Sequence, residues 1–178
     1  EDIGVLTGDA LMIYAMETAS KAFAAAQDGE ELARVGQAME ILARKTGPFG
    51  MIGGQTVDVE LAGGPIPKDK LDFIYRLKTG ALIEASMLIG AVLGGAADQD
   101  CRIVESLASK LGMAFQIQDD ILDVEGSEAS MGKPAGSDEK NQKTTYVTLE
   151  GMDKAKKEVE RLSREAAEDL DKLGSNEF

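Results

Sequence analysis

The segment 112–124 carries the pattern that most restricts how this chain can fold. At about 100° per residue its polar side chains fall on one stripe about 100° wide, and the rest of its circumference is mostly apolar. A helix that is apolar on most sides is buried on most sides. The pattern therefore predicts a largely buried helix with a single polar stripe, formed by Gly112, Gln116, Asp119, Asp120 and Asp123.

Asp119, Asp120 and Asp123 repel one another on this stripe. Like charges three or four residues apart on a helix cost a few tenths of a kcal/mol each. Two carboxylates about 4 Å apart repel by about 4 kcal/mol at an effective dielectric constant near 20. We therefore expect a cation over the stripe, and Mg²⁺ prefers carboxylate, water and phosphate oxygens. The alternative is a solvated acidic patch, because charged residues usually lie on the surface.

The amino-acid composition favours an all-α fold. The chain has 178 residues, enough for one domain with a substantial core, and only 4% of them are aromatic. No stretch alternates apolar and polar residues with β-branched side chains over the length of a strand. We expect a single α-helical domain over residues 1–178.

Charge and composition also exclude several classes of function. A net charge of −13 argues against nucleic acids and anionic membrane surfaces as partners. The chain has no histidine, which excludes His-based catalysis and His-ligated zinc. Cys101 is the single cysteine, so no internal disulfide can form, and a cytoplasmic location is expected. No uninterrupted apolar stretch is long enough to cross a membrane, so no membrane insertion is expected.

Apolar spacing and helix-terminating residues predict a series of helices. They span residues 2–27, 30–45, 51–61, 68–96 and 98–124, with a short apolar anchor at 146–149 and a last helix at 153–173. The chain does not begin with Met. Near its end, Gly174 is a typical helix terminator, and Ser175 and Asn176 are typical caps of a further helix. We therefore expect it to be a piece of a longer protein.

Lys78 lies in the middle of an apolar face of the predicted helix 68–96. That face is formed by Leu71, Tyr75, Leu82, Ala85 and Ile89. A buried, unpaired ammonium group is costly, so Lys78 either extends to water along its aliphatic stem or contacts an anion. Thr79 and Gly80 follow, a hydroxyl and a residue that lets a helix bend. Gln55 and Asp58 share one face of the helix 51–61, which is either an ordinary solvated face or part of a polar site.

The polar segment 125–143 is too long to be a simple connector in a compact domain. It begins beside Asp123 and contains Lys133, Lys140 and Lys143. One interpretation is a solvated linker. The other is a mobile lid whose lysines close over phosphates held by a metal cluster.

Five motifs, in this order and spacing, closely resemble the trans-polyprenyl diphosphate synthases, the family of farnesyl and geranylgeranyl diphosphate synthases. They are Gly53-Gly54-Gln55, Lys78-Thr79-Gly80, Phe115-Gln116 with Asp119-Asp120 and Asp123, Gly132-Lys133, and Lys143-Thr144-Thr145-Tyr146. The resemblance covers essentially all of the chain. It is more specific than an isolated DDxxD motif, because acidic helical patches are common.

The resemblance implies an all-α isoprenoid-synthase bundle around a deep central cavity, with two aspartate-rich motifs facing each other across its mouth. Asp119, Asp120 and Asp123 would form the second motif and bind Mg²⁺, Asp119 directly and Asp123 partly through water. The diphosphate of the allylic substrate would contact Lys78, Thr79, Gln116, Lys133 and Lys143. Lys78, Asp119 and Asp120 would be catalytic, and Gln55, Asp58 and Phe115 would lie next to these groups.

The implied activity is Mg²⁺-dependent prenyl transfer, in which an allylic diphosphate and isopentenyl diphosphate give a longer trans-polyprenyl diphosphate and release diphosphate. The resemblance also implies a homodimer. The first aspartate-rich motif and the basic residues for isopentenyl diphosphate are absent and are expected upstream of Glu1, and the basic C-terminal segment is expected beyond Phe178. The bundle is therefore expected to be incomplete at both ends, and the 178-residue chain alone to be inactive.

Three alternatives remain open from the sequence. A terpene cyclase of the same fold would carry an Asn/Ser/Glu metal motif on a late helix, and no such triad is present. A catalytically silent regulatory subunit of a heteromeric synthase would lack the first acidic motif. A helical interaction protein would not bind a diphosphate in the presence of Mg²⁺.

Overall fold

The computed structural model describes residues 2–125 and 143–174, and every regular element in these ranges is helical. The all-α prediction is therefore confirmed. The elements are α1 (Asp2–Ser20), α2 (Ala22–Ala25), α3 (Gly29–Thr46), α4 (Met51–Glu60), α5 (Lys68–Ile74), a π-helical segment (Tyr75–Gly80), α6 (Ala81–Leu93), α7 (Asp98–Glu125), α8 (Tyr146–Glu150) and α9 (Met152–Leu170). Lys133 and nearly all of the predicted lid lie outside the described residues.

The long helix α7 is the centre of the packing. It contacts α6, the π segment, α8 and α9, and residues on several of its faces are buried. Ala108 and Ile117 have no exposed surface. This agrees with a helix that is apolar on most of its circumference. Much of the core around its second half comes from Leu71, Ile74, Tyr75, Ala114, Ile117, Ile121, Tyr146, Ala155 and Leu162.

Side-chain caps fix several helix starts. Asp28 caps α3, because its Oδ1 accepts the backbone N–H of Glu31 at 2.8 Å. Thr145 and Thr148 form a capping box at the start of α8. The predicted helix 2–27 is instead divided into α1 and α2 near Lys21. The hydroxyl of Ser20 donates to the carbonyl of Glu17 at this point, a local hydrogen bond of the kind that competes with regular helix.

The π segment changes the register of the predicted helix 68–96. Leu71, before the segment, and Tyr75, its first residue, are buried as expected. Beyond it, Leu82 is 38% exposed and Leu88 is buried. Ala85 of the predicted face is also buried, so a face drawn at 100° per residue is shifted rather than lost after Gly80. A π turn inserts a residue relative to the 3.6-residue period.

α1 contributes nothing to the core formed by the described residues. None of its residues is buried, and it exposes Ile3, Leu6, Leu11 and Ile13. None of the helices in the described ranges combines the length and the apolar composition that a bilayer crossing requires.

Candidate functional site

Two glycines allow the π segment to lie very close to its neighbours. A Cβ atom on Gly54 of α4 would lie 2.4 Å from the backbone nitrogen of Lys78. A Cβ atom on Gly112 of α7 would lie 2.8 Å from the Cα of Gly80. Both positions therefore require the smallest residue, and the segment that carries Lys78 and Thr79 is packed between α4 and α7.

Lys78 contacts an anion from a different helix. Its Nζ donates to Oδ2 of Asp58 on α4 at 2.6 Å, and the two side chains are 37% and 20% exposed. Lys78 is thus paired rather than simply extended to water. Gln55, one turn before Asp58, is exposed and lines with Lys78 an open cleft of about 490 Å³ whose walls are mostly apolar. The role of these residues in binding a diphosphate stays a prediction.

Thr79 and Gln116 join the second and third motifs. The hydroxyl of Thr79 donates to Oε1 of Gln116, which is 37 residues further along the chain. Both residues are half-buried, so this contact lies at the edge of the core. It places the side of the π segment that carries Thr79 against the polar stripe of α7.

The aspartates of that stripe are not a solvated patch. Asp120 is 3% exposed, Asp123 is 4% exposed, and Asp119 is half-buried. By contrast, Phe115 is exposed. The structure therefore excludes the alternative of an acidic surface run without structural contacts.

Asp120 accepts two hydrogen bonds in the interior of the protein. Its Oδ2 accepts the hydroxyl of Tyr75 at 2.5 Å and the backbone N–H of Tyr146 at 2.8 Å. A buried carboxylate is stable only when it is hydrogen-bonded in this way. Sequence reasoning placed Tyr75 only on an apolar face, although a buried phenol usually needs a hydrogen-bond partner.

The described residues contain no group of three carboxylate or thiol side chains arranged to hold one metal ion. Mg²⁺ commonly takes only one or two protein carboxylates and completes its shell with water and phosphate oxygens. The assignment of Asp119, Asp120 and Asp123 as metal ligands therefore stays a prediction. Lys143 is exposed at the start of the second described range, and Lys133 lies outside both ranges.

Two ionic clusters elsewhere, each with a buried carboxylate, were not predicted from the sequence. Lys45 of α3 donates to Glu84 of α6 at 2.5 Å and to Glu105 of α7 at 3.1 Å. Burial lowers the pKa of Lys45, but the hydrogen bonds and charges of the two glutamates raise it by more, so it lies above its usual value. This cluster connects three helices.

The second cluster joins α9 to α7. Asp169 is buried and accepts hydrogen bonds from Lys110, Lys172 and Ser106. These hydrogen bonds, that of Lys110 above all, hold the pKa of Asp169 well below its usual range. The signal in the sequence was an aspartate beside the apolar positions of an otherwise amphipathic helix.

Known proteins are similar to this chain in sequence and in fold. The family described as polyprenyl synthetase matches residues 1–175. Farnesyl diphosphate synthase from Geobacillus stearothermophilus is 39% identical over 162 residues, which cover 89% of this chain and 52% of that protein. The chloroplastic geranylgeranyl pyrophosphate synthase from Catharanthus roseus is 40% identical over 171 residues, which cover 96% of this chain and 47% of that protein.

A solved structure gives the same result. The geranyltransferase from Helicobacter pylori, complexed with magnesium and isoprenyl diphosphate, aligns with a TM-score of 0.81 and 33% identity over 97% of this chain and 55% of that one. The chain thus spans about half the length of the relatives that it matches. With a family match over nearly all of its residues and the helical fold of a solved relative, this chain belongs to the polyprenyl synthetase family.

Proposed function

We propose that the natural protein containing this chain is a Mg²⁺-dependent prenyltransferase. It condenses an allylic diphosphate with isopentenyl diphosphate, forms a longer trans-polyprenyl diphosphate and releases diphosphate. The observation that carries this proposal is the hydrogen bond from Thr79 to Gln116, because it brings the Lys78-Thr79 pair onto the helix that carries the aspartates. The family match and the relatives named as prenyl diphosphate synthases support the same activity.

Lys78, Thr79 and Gln116 would hold the diphosphate of the allylic substrate, together with Lys133 and Lys143. A leaving diphosphate gains negative charge as the allylic C–O bond breaks, and preorganised cations and hydrogen-bond donors stabilise that charge. Lys78 suits this role because its ammonium group lies at the edge of an open cleft, where it is paired with Asp58. Gln55 lies on the wall of the same cleft.

The donor set of α7 fits a Mg²⁺ ion. Asp119 and Asp123 are hard oxygen donors on one stripe of the helix, and Asp119 is only half-buried. We assign Asp119 as a direct ligand and Asp123 as a ligand partly through water. A bound Mg²⁺ would neutralise charge on the leaving diphosphate. A relative complexed with magnesium and isoprenyl diphosphate supports the use of Mg²⁺ in this reaction.

The reaction needs no protein base. The C–O bond of the allylic diphosphate breaks, the double bond of isopentenyl diphosphate forms the new C–C bond, and the proton that is lost passes to the released diphosphate. The absence of histidine is therefore no obstacle. Met51, Ile52 and Val59 supply apolar surface to the open cleft beside Lys78. The homodimer, the cytoplasmic location, the single domain and the lid at 125–143 stay predictions.

The proposal is tested by incubating the natural protein with isopentenyl diphosphate and a series of allylic diphosphates, with Mg²⁺ or with EDTA. We expect a linear product that is longer than the primer, released diphosphate, and loss of both with EDTA. A cyclic hydrocarbon formed without isopentenyl diphosphate would indicate a cyclase instead. Turnover that requires a second, different subunit would indicate a regulatory subunit. No product, together with no diphosphate binding in the presence of Mg²⁺, would contradict the enzyme assignment.

A further inference from the structure

One carboxylate oxygen joins three segments that are distant in the sequence. Oδ2 of Asp120 accepts hydrogen bonds from the hydroxyl of Tyr75, 45 residues away, and from the backbone N–H of Tyr146, 26 residues away. All three residues are buried. The cluster therefore connects α7, the π segment and α8 in the interior of the bundle.

Each member of this cluster stands close in sequence to a residue that is proposed to bind Mg²⁺ or diphosphate. Tyr75 begins the π segment, which ends with Lys78, Thr79 and Gly80. Asp120 directly follows Asp119 on α7. A change in the contacts of Asp120 would alter the distance between the cationic and the acidic sides of the site.

The hydrogen bonds also bear on what Asp120 can do. Hydroxyl donors form short, strong hydrogen bonds to a charged carboxylate oxygen, and the 2.5 Å distance to Tyr75 fits such a bond. Two donors thus already lie at hydrogen-bond distance from Oδ2. Oδ2 of Asp120 therefore holds three protein segments together.

We propose that Asp120 is a positioning residue, which fixes the π segment and the start of α8 against α7, while Asp119 and Asp123 supply the metal ligands. The inference rests on the proposed prenyl transfer. It makes a chemical distinction that can be tested, because positioning needs an acceptor oxygen at Oδ2 whereas metal binding needs the negative charge.

Asparagine separates these two requirements. Asp120→Asn keeps an acceptor oxygen of the same shape and removes the charge, and Asp119→Asn makes the same change at the adjacent, proposed metal ligand. We expect the half-saturating Mg²⁺ concentration of the natural protein to rise at least about tenfold for Asp119→Asn and to stay within about twofold of the wild-type value for Asp120→Asn. An equally large rise for Asp120→Asn would overturn the proposal.

Removal of the hydroxyl donor provides a second variant. Tyr75→Phe keeps the ring in the core, and Tyr14→Phe removes a hydroxyl from an exposed tyrosine of α1 as a matched control. We expect kcat to fall about tenfold for Tyr75→Phe, at a temperature well below its melting temperature, and to stay unchanged for Tyr14→Phe. A merely structural hydrogen bond would lower the melting temperature and leave kcat and KM within twofold, and that result would overturn the proposal.

The activity of the wild-type protein separates a failure of the proposed prenyl transfer from a failure of the positioning role of Asp120. If the wild-type protein makes no product in the presence of Mg²⁺, the proposed function fails and the role of Asp120 fails with it. If the wild type is active and Tyr75→Phe behaves like it, the positioning role alone is wrong.

Discussion

At the scale of single residues, the ammonium group of Lys78 is paired with a carboxylate. The structure supplies Asp58, from a different helix, at 2.6 Å. Helical spacing assigns a side chain to a face, whereas the partner of that face depends on how two helices cross. The same reason explains why the hydrogen bond between Tyr75 and Asp120 was missed.

Replacement of Asp119 by alanine in the natural protein should lower turnover by at least about a hundredfold, because a metal ligand contributes several kcal/mol to stabilisation of the transition state. Stability should be unchanged or higher, since repulsion within the stripe is relieved. Steady-state kinetics and thermal unfolding measure the two effects. Glu160→Ala, at an exposed acidic residue of α9, is the control, and near-normal activity of Asp119→Ala would refute the metal role.

Replacement of Lys78 by methionine should weaken binding of the allylic diphosphate by about tenfold to a hundredfold, the range expected for loss of a charged hydrogen bond of 1.5–3 kcal/mol. Equilibrium binding of a non-reactive allylic diphosphate analogue measures this change. Lys70→Met, at an exposed lysine of α5, removes the same charge and should leave the affinity unchanged. Equal affinity of the wild type and Lys78→Met would contradict the binding role.

A double variant separates binding from stability. Lys78→Met alone leaves the half-buried Asp58 without the partner that it has in the structure. The double variant Lys78→Met with Asp58→Asn should recover thermal stability and should not recover affinity. Recovery of both would mean that Lys78 acts only by neutralising Asp58.

At the scale of helices and segments, the sequence predicted most helices because apolar spacing and caps are local signals. The starts of α3 and α4 agree with the prediction to within one residue. The π segment was not predicted, since nothing in a period of 3.6 residues indicates where an extra residue is inserted. Its place depends on the packing of Gly54 and Gly112 against it, which is a tertiary effect.

Replacement of Gly54 by alanine should destabilise the protein by about 1–3 kcal/mol, because the new methyl group meets the backbone of Lys78. Gly90→Ala, on α6, is the matched control. Nothing lies within 4 Å of its added Cβ, and alanine is a better helix former than glycine by up to about 1 kcal/mol. Denaturant unfolding measures both changes, and equal stability of the two variants would show that the close approach is unimportant.

The cluster around Asp169 predicts a dependence of stability on pH. The pKa of this carboxyl is lowered in the folded state, chiefly by its hydrogen bond with Lys110, whereas an aspartate in an unfolded chain has a pKa of about 3.9. Its contribution to stability is therefore complete above about pH 4 and is lost progressively as the pH falls further. Asp169→Asn should lower the melting temperature at neutral pH and flatten its fall below pH 4.

Glu160→Gln, at an exposed residue of the same helix, is the control for this measurement. Its melting temperature should follow the wild-type curve. A profile for Asp169→Asn that runs parallel to the wild-type curve at every pH would show that Asp169 does not link α9 to α7 through its charge.

At the scale of the whole molecule, the sequence predicted the fold class and the central place of α7. A helix that is apolar on most sides must be covered by other helices on most sides. It could not predict the packing of α1. This helix has apolar residues around it, and no residue of it is buried by the described part of the chain. Its apolar pattern indicated a helix without indicating what packs on it.

The isolated chain 1–178 should give no turnover with isopentenyl diphosphate and an allylic diphosphate, whereas the natural protein should be active. The physical reason is that the resemblance assigns the first aspartate-rich motif to residues outside this chain, and a leaving diphosphate needs charge neutralisation from both sides. Parallel assays of the two proteins at equal concentration measure this. Comparable rates would show that the 178 residues contain a complete site.

The ion pair between Lys78 and Asp58 has a consequence for how a substrate would enter. An arriving diphosphate would not meet a bare positive charge, because it must compete with an internal counter-ion for the same ammonium group. The binding free energy would then reflect the difference between the interaction of Lys78 with the diphosphate and its interaction with Asp58. We expect Asp58→Asn to tighten diphosphate binding and to steepen its salt dependence, since the lysine would be released for its ligand alone.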